Sequence, residues 1–359
     1  MATTFKTLTP KDIVSTRNLL HEAIPLTGAI VSASYDGENI ENFSHGMYQA
    51  VYDYPYLSSS ANHVLDLTAG YSSNSALSNS AHTQNTKKIN VYNEMAQVLV
   101  GFDENSTIRR FDEDGDFVST ATKIDDAYFI NFARLLTKDE IKKGSFTLSL
   151  GANASYTAPF GDGTTTGGII NLIDKSGSAG YKVNSPAGEY GILYATGSKL
   201  ASAKVDGSGY APAGLLYYQA GVAVVSASVF SSLLTAPVTA EVGGNTAVMA
   251  LTSSAISGNC DVLRHRLYNL SFNNTTELNS TVYFCRINHD EFNYSANPTY
   301  TNSNSKIRVK DVANDVPVTY ITTVGLYSPD NELLAVAKLS EPIKKDPTTE
   351  LTLRVRLDY

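Results

Sequence analysis

The sequence predicts a mainly β chain with some N-terminal helix (α+β), a low-charge, β-rich middle domain and a β-sandwich-like C-terminal region. Three observations carry that reading. Hydrophobic residues make up 42% of the 359 residues, with 22 Tyr and 13 Phe, which is ample for a sizeable core and excludes general disorder. From about residue 144, short runs rich in β-branched and aromatic residues recur between Gly, Ser and Asp turns. Charged residues reach only 17%, against about 25% in an ordinary soluble domain, so the polar fraction rests on Ser, Thr, Asn and Gly.

The chain divides into three regions: a mixed α/β region over 1–143, the low-charge middle domain over 144–258, and 259–359, which can share one sheet system with the first. Near the start, Thr9-Pro10-Lys11-Asp12 offers an N-cap hydroxyl, a proline at the first helical position and an acid three residues beyond the cap. A helix with Ile13, Leu19 and Leu20 on its apolar face is expected there. A second is expected over about 86–100, where Ile89, Tyr92, Met95, Ala96 and Leu99 repeat at helical spacing and Gly101 closes the pattern. A third is expected near 124–135, followed by an exposed helical turn in TKDEIKK. Between the last two, IRRFDEDGDFVST reads as a hairpin in which Asp114-Gly115 supplies the positive-φ position. Residues 101–126 hold a net charge of −5 out of the chain's −8.

Between 144 and 258 only nine side chains are charged. FTLSL, YKVNS, YGILYAT, LLYYQAGVAVVSASVF and TAVMALT read as strands there, with VFSSLLTA open to a short helix. After them, DVLRHRLYNL fits a short helix or a strand. STVYFCRI, SKIRVKDV, PVTYITTVGLY, ELLAVAKLS and ELTLRVRLDY read as strands, two of them joined by a tight turn at Tyr327-Ser328-Pro329-Asp330-Asn331. In the last strand Leu351, Leu353, Val355 and Leu357 alternate with Thr352, Arg354, Arg356 and Asp358, so one face is expected buried and the other wet.

Several function classes are excluded. An acidic chain lacks the basic face of a phosphate-neutralising nucleic-acid binder. MATTFKTLTP has no basic segment followed by an apolar run, so no secretory signal is expected. AGVAVVSASVFSSLLTAPV approaches the length of a membrane span. Ser226, Ser228, Ser231, Ser232 and Pro237 interrupt it, so a buried strand and turn are expected and no span. Cys260 and Cys285 lack CxxC spacing; they can pair, but isolated thiols in a chain with no secretory signal are more often free and buried. The scattered histidines form no ligand set. Asp112–Asp116 departs from a calcium-loop pattern, with Phe117 at position six and Lys123 at position twelve. The glycines from Gly161 to Gly168 lack a following Gly-Lys-Ser/Thr, there is no GxSxG, and His289-Asp290-Glu291 lies in a loop signature. No catalytic, cofactor or metal residue is therefore assigned, and the chain is expected not to be an enzyme.

The tyrosines are different. Tyr35, Tyr48, Tyr52, Tyr54 and Tyr56 fall in one stretch. Tyr52, Tyr54 and Tyr56 alternate, so a strand would place all three rings on one face. Such a face serves a core, a protein interface or a sugar platform, and these three are the candidate interface residues.

In CRINHDEFNYSANPTYTNSNSKIRVKDV and PVTYITTVGLYSPDNELLAVAKLSEPIKKDPTTELTLRVRLDY the chain resembles virion structural proteins of tailed bacteriophages, in particular those of marine contractile-tailed cyanophages. FKTLTPKDIVSTRNLLHEAIPLTG and YQAVYDYPYLSSSANHVLDLTAGYSSNS are similar to the same group; the middle domain lies outside the likeness. These likenesses transfer no catalytic residue. They imply a non-enzymatic tail, baseplate or neck component, present in several copies, assembled in the host cytoplasm, and contacting itself and other virion proteins. The low charge and abundant Tyr agree with large contact surfaces. The alternatives are a head- or capsid-associated vertex or decoration protein, a receptor- or carbohydrate-binding protein facing the host surface, and a virion-borne glycan hydrolase using Asp112, Asp114 and Asp116.

Overall fold

The computed structural model describes residues 5–27, 39–118, 123–153, 159–160, 168–197, 200–201, 205–230, 233, 247–295, 299–304, 312 and 314–359. In chain order the strands are β1 (Ile13–Thr27), β2 (Ile40–Asn42), β3 (Gln49–Tyr52), β4 (His63–Tyr71), β5 (Phe111–Asp112), β6 (Lys123–Ile124), β7 (Asp126–Phe132), β8 (Glu140–Ile141) and β9 (Thr147–Gly151). They continue with β10 (Ile169–Ile173), β11 (Tyr190–Thr196), β12 (Ala211–Tyr217), β13 (Val222–Ser226), β14 (Leu267–Ile287), β15 (Thr319–Tyr327), β16 (Leu333–Lys345) and β17 (Leu351–Asp358). The helices are α1 (Asn85–Leu99), α2 (Arg134–Thr137), α3 (Gly177–Gly180), α4 (Ala247–Ser253) and α5 (Ile256–Arg266). The expected mainly β class is what the chain adopts.

Two compact units form, one of Leu20–Thr276 and one of Met1–Leu19 with Glu277–Tyr359. These boundaries differ from 143/144 and 258/259. Strands of the low-charge middle are hydrogen-bonded into one sheet with N-terminal ones: Val222–Ser226 of β13 pair antiparallel with Ala127–Asn131 of β7.

In the larger unit the sheet runs β14-β9-β10-β11-β12-β13-β7-β4-β3-β2, with β8 also on β14. Its centre is covered on both faces. Tyr128 and Phe129 are successive residues of β7 and so point to opposite sides. Phe129 meets Tyr92 of α1 and Phe111, whereas Tyr128 meets Phe230, and all five rings are at most 1% exposed. Gly70 of β4 lets α1 approach, since a Cβ there would lie 2.4 Å from the Lys88 carbonyl oxygen. The low charge of 144–258 belongs to this core: Leu148, Leu172, Leu215 and Val224 are fully buried. Among the described residues, every buried apolar side chain except Val355 lies in the larger unit.

In the smaller unit, Ser280–Ile287 of β14 pair antiparallel with Leu351–Asp358 of β17, and β1 is also a neighbour of β14. β15 and β16 form a separate antiparallel ribbon.

Several expectations are corrected. The Thr9–Asp12 cap forms, with the Asp12 carboxylate accepting from the Thr9 N–H (3.0 Å) and hydroxyl (2.6 Å). The helix stops at Asp12, because β-branched Ile13, Val14 and Thr16 continue as β1, leaving Leu19 and Leu20 47% and 56% exposed. The third expected helix is instead β7. A strand buried on both faces loses its two-residue alternation and reads like an apolar helix. TKDEIKK carries the short strand β8, and TAVMALT is largely α4 rather than a strand. YKVNS contributes only an isolated bridge from Lys182 to Tyr190. DVLRHRLYNL is both alternatives at once, the end of α5 and the start of β14. The α1 expectation holds, with Gly101 at φ +82° donating its N–H to the Ala96 carbonyl. SKIRVKDV lies mostly outside the described residues, as does most of the stretch after Phe230.

Candidate interaction surfaces

Strand β3 ends at Tyr52, so Tyr52, Tyr54 and Tyr56 do not share one strand face. Pro55, three residues beyond the strand's end, has no N–H to donate, so a regular strand is disfavoured through Tyr56, a signal present in the sequence. Tyr52 is half-buried; its hydroxyl donates to Glu41 Oε2 at 3.0 Å, and its ring meets Tyr56 (6.2 Å between centroids) and His63 (5.5 Å). Burial, reinforced by Glu41 and the nearby Asp66 charge, holds the Tyr52 phenol above its ordinary pKa. His63 Nε2 lies 2.8 Å from Asp66 Oδ1. Tyr54 is 57% exposed and Leu57 85%, so this loop presents apolar surface to solvent and is not a core face.

The acidic hairpin forms with a different second strand. Phe111 and Asp112 pair with Ile124 and Lys123, and Gly115 takes φ +68° as expected. Asp112 is fully buried against the Lys123 ammonium, whereas Asp114 and Asp116 are exposed. Carboxylate oxygens of these three lie within 4.8 Å of one another, the set best placed among the described residues to hold a cation. Each also accepts a backbone N–H two residues on, at Asp114, Asp116 and Val118. The arrangement is a ladder of Asx turns that shapes the loop. Beside it a cleft of about 840 Å³ is lined by Asn93, Asp103, Arg109, Arg110, Phe117 and Asn184 among others. Its guanidinium groups are already engaged, Arg110 with Asp125 at 3.0 Å and Arg109 over the Phe117 ring at 5.6 Å.

The smaller unit shows what sequence patterning missed. In β16 the large residues Leu334 and Val336 are 67% and 53% exposed, while Ala335, Ala337, Leu339 and Ile343 are the half-buried ones. Tyr320 of β15 is 64% exposed, and Phe5, itself 58% exposed, stacks edge-on to Tyr327 at 5.3 Å. The alternation expected in β17 is present, but only Val355 of its four apolar residues is buried. Alternation in sequence says that two faces differ; it does not say which face water reaches. Cys260 and Cys285 are both free, and Cys260 donates to the Leu67 carbonyl at 3.1 Å. Among the described residues no helix is long and apolar enough to cross a membrane. No protein-family model, curated protein or solved structure matches the chain.

Proposed function

We propose that the chain is a structural subunit of a tailed-phage virion, in the tail, baseplate or neck, that assembles through protein–protein contacts with itself and with other virion proteins. One observation carries the reading beyond the resemblance of its two ends to such proteins. The smaller unit has long strands and almost no core: among the described residues Val355 is its single buried apolar side chain. Two-stranded ribbons are marginal alone in water, and contiguous exposed apolar surface marks a contact site. Leu334 and Val336, two residues apart on one face of β16, are both exposed, and Leu333 and Tyr320 add exposed apolar area elsewhere on the ribbon. The low charge of the middle strands is no part of this support, because those residues fill the chain's own core. Mass spectrometry of purified virions, with electron microscopy of particles labelled on this chain, tests the proposal. Stoichiometric presence at the tail, baseplate or neck is expected; absence from particles overturns it, and a label on the head favours the capsid alternative.

A further inference from the structure

The sheet of β1, β14 and β17 carries a shallow groove of about 280 Å³. Its floor is Val14, Val282 and Phe284, and its rim is Arg354 and Arg356. The register explains the grouping: Phe284 lies opposite Arg354 and Val282 opposite Arg356, so the apolar and cationic side chains share one face. Arg356 reaches Asp358 at 2.8 Å, whereas Arg354 has no ion-pair partner among the described residues. An apolar floor rimmed by two guanidinium groups calls for an apolar segment carrying carboxylates.

The turn between β15 and β16 has that chemistry. Tyr327, Leu333 and Leu334 are 47%, 52% and 67% exposed, and between them stand Asp330 and Glu332, both exposed and without an ion pair among the described residues. The tip is well formed rather than loose. The Ser328 N–H donates to the Glu332 carbonyl (2.8 Å), the Asn331 N–H to the Ser328 carbonyl (3.0 Å), and Asn331 sits at φ +63°. Asn tolerates that left-handed conformation, so the turn is held before any partner arrives.

We propose that the β15–β16 tip of one copy seats in the groove of a second copy, with Asp330 and Glu332 on Arg354 and Arg356 and the leucines on Val14, Val282 and Phe284. The occupant is another copy because one chain supplies both halves with opposite charge and matching apolar surface. Tip and groove are different surfaces, so the contact is heterologous and repeats around a ring or along a filament. This rests on the structural-subunit reading and names its self-contact.

Sedimentation velocity on the purified full chain tests it with charge exchange. Asp330→Arg with Glu332→Arg, and separately Arg354→Glu with Arg356→Glu, are each expected to weaken self-association at least about tenfold. The fourfold variant is expected to recover it. A second measurement keeps all four charges. In a Cys285→Ser background, a Pro329→Cys chain mixed with an Asn18→Cys chain is expected to form a disulfide-linked dimer, because Asn18 also lines the groove. Wild-type self-association unchanged by both reversals, a fourfold variant as weak as either, a wild type monomeric at every concentration, or Asn18→Cys crosslinking only to a different virion protein would each overturn the inference. A chain present in particles that fails these tests sinks this contact alone, whereas a chain that crosslinks to itself but is absent from particles sinks the virion reading.

Discussion

Lys88 sits fully buried in α1, and its ammonium donates to the carbonyl oxygens of Thr83 (2.8 Å), Leu251 (2.6 Å) and Ser254 (2.6 Å). Burial pushes this lysine down to about 8, and backbone acceptors hold the cation at the end of α4. Lys88→Met keeps the stem and takes the ammonium from the buried Leu251 carbonyl and the half-buried Thr83 and Ser254 carbonyls, a loss expected to cost about 2–4 kcal/mol. A lower midpoint in urea denaturation checks it. Asp346, in the turn from β16 to β17, accepts from the Thr348 N–H (3.0 Å) and the hydroxyls of Thr348 (2.6 Å) and Thr349 (2.7 Å), with Lys344 at 3.3 Å. The Thr348 and Thr349 hydroxyls foremost hold its carboxyl well below the usual carboxylate range. A depressed folded-state pKa gives stability that is present above the unfolded value, about 4, and is lost as pH falls through the folded one. Asp346→Asn is therefore expected to be less stable than the wild type at pH 6, with the gap narrowing below about pH 4. Urea midpoints measured across that range check the sign.

At the scale of elements, burial on one face, both faces or neither separates the strands. β7 is covered on both faces and pairs with β4 and β13 along its length. The β15–β16 ribbon pairs only with itself among the described residues. Amides of Phe129 and Ile130 are expected to be among the slowest to exchange in the free chain, and those of Val324 and Leu326 much faster. In assembled particles the second set is expected to slow markedly. Hydrogen exchange followed by mass spectrometry on both samples checks this. The same burial explains which elements could be read from sequence. The half-polar pattern of α1 and the alternation of β17 were legible because one side of each meets water. β7 was not, because a doubly covered strand has no polar side to mark its period. β1 departs from its expected helix for another reason. A capping box nucleates one turn, and the β-branched residues after it pair with β14 instead of extending that turn.

For the whole molecule, charge and core are distributed unequally. The smaller unit is neutral, so Leu20–Thr276 carries the full −8 and nearly all of the buried apolar surface. The acidic stretch 101–126 is partly internal to that unit, since Asp112 is buried on Lys123 and Asp125 is tied to Arg110. Low charge in the middle strands and exposed apolar residues in the terminal ones look alike in composition. One is satisfied within the chain; the other is left exposed.

Sequence alone was enough for the mainly β class, α1 with its Gly101 stop, the hairpin glycine at 115 and most C-terminal strands. Each rests on local chemistry: side-chain period or a positive φ. Two outcomes needed the folded chain: that the middle strands join the N-terminal ones in one sheet, and that Leu334 and Val336 face outward. They depend on which strand becomes whose neighbour, and pairing between residues far apart in the chain leaves no periodic mark in either partner.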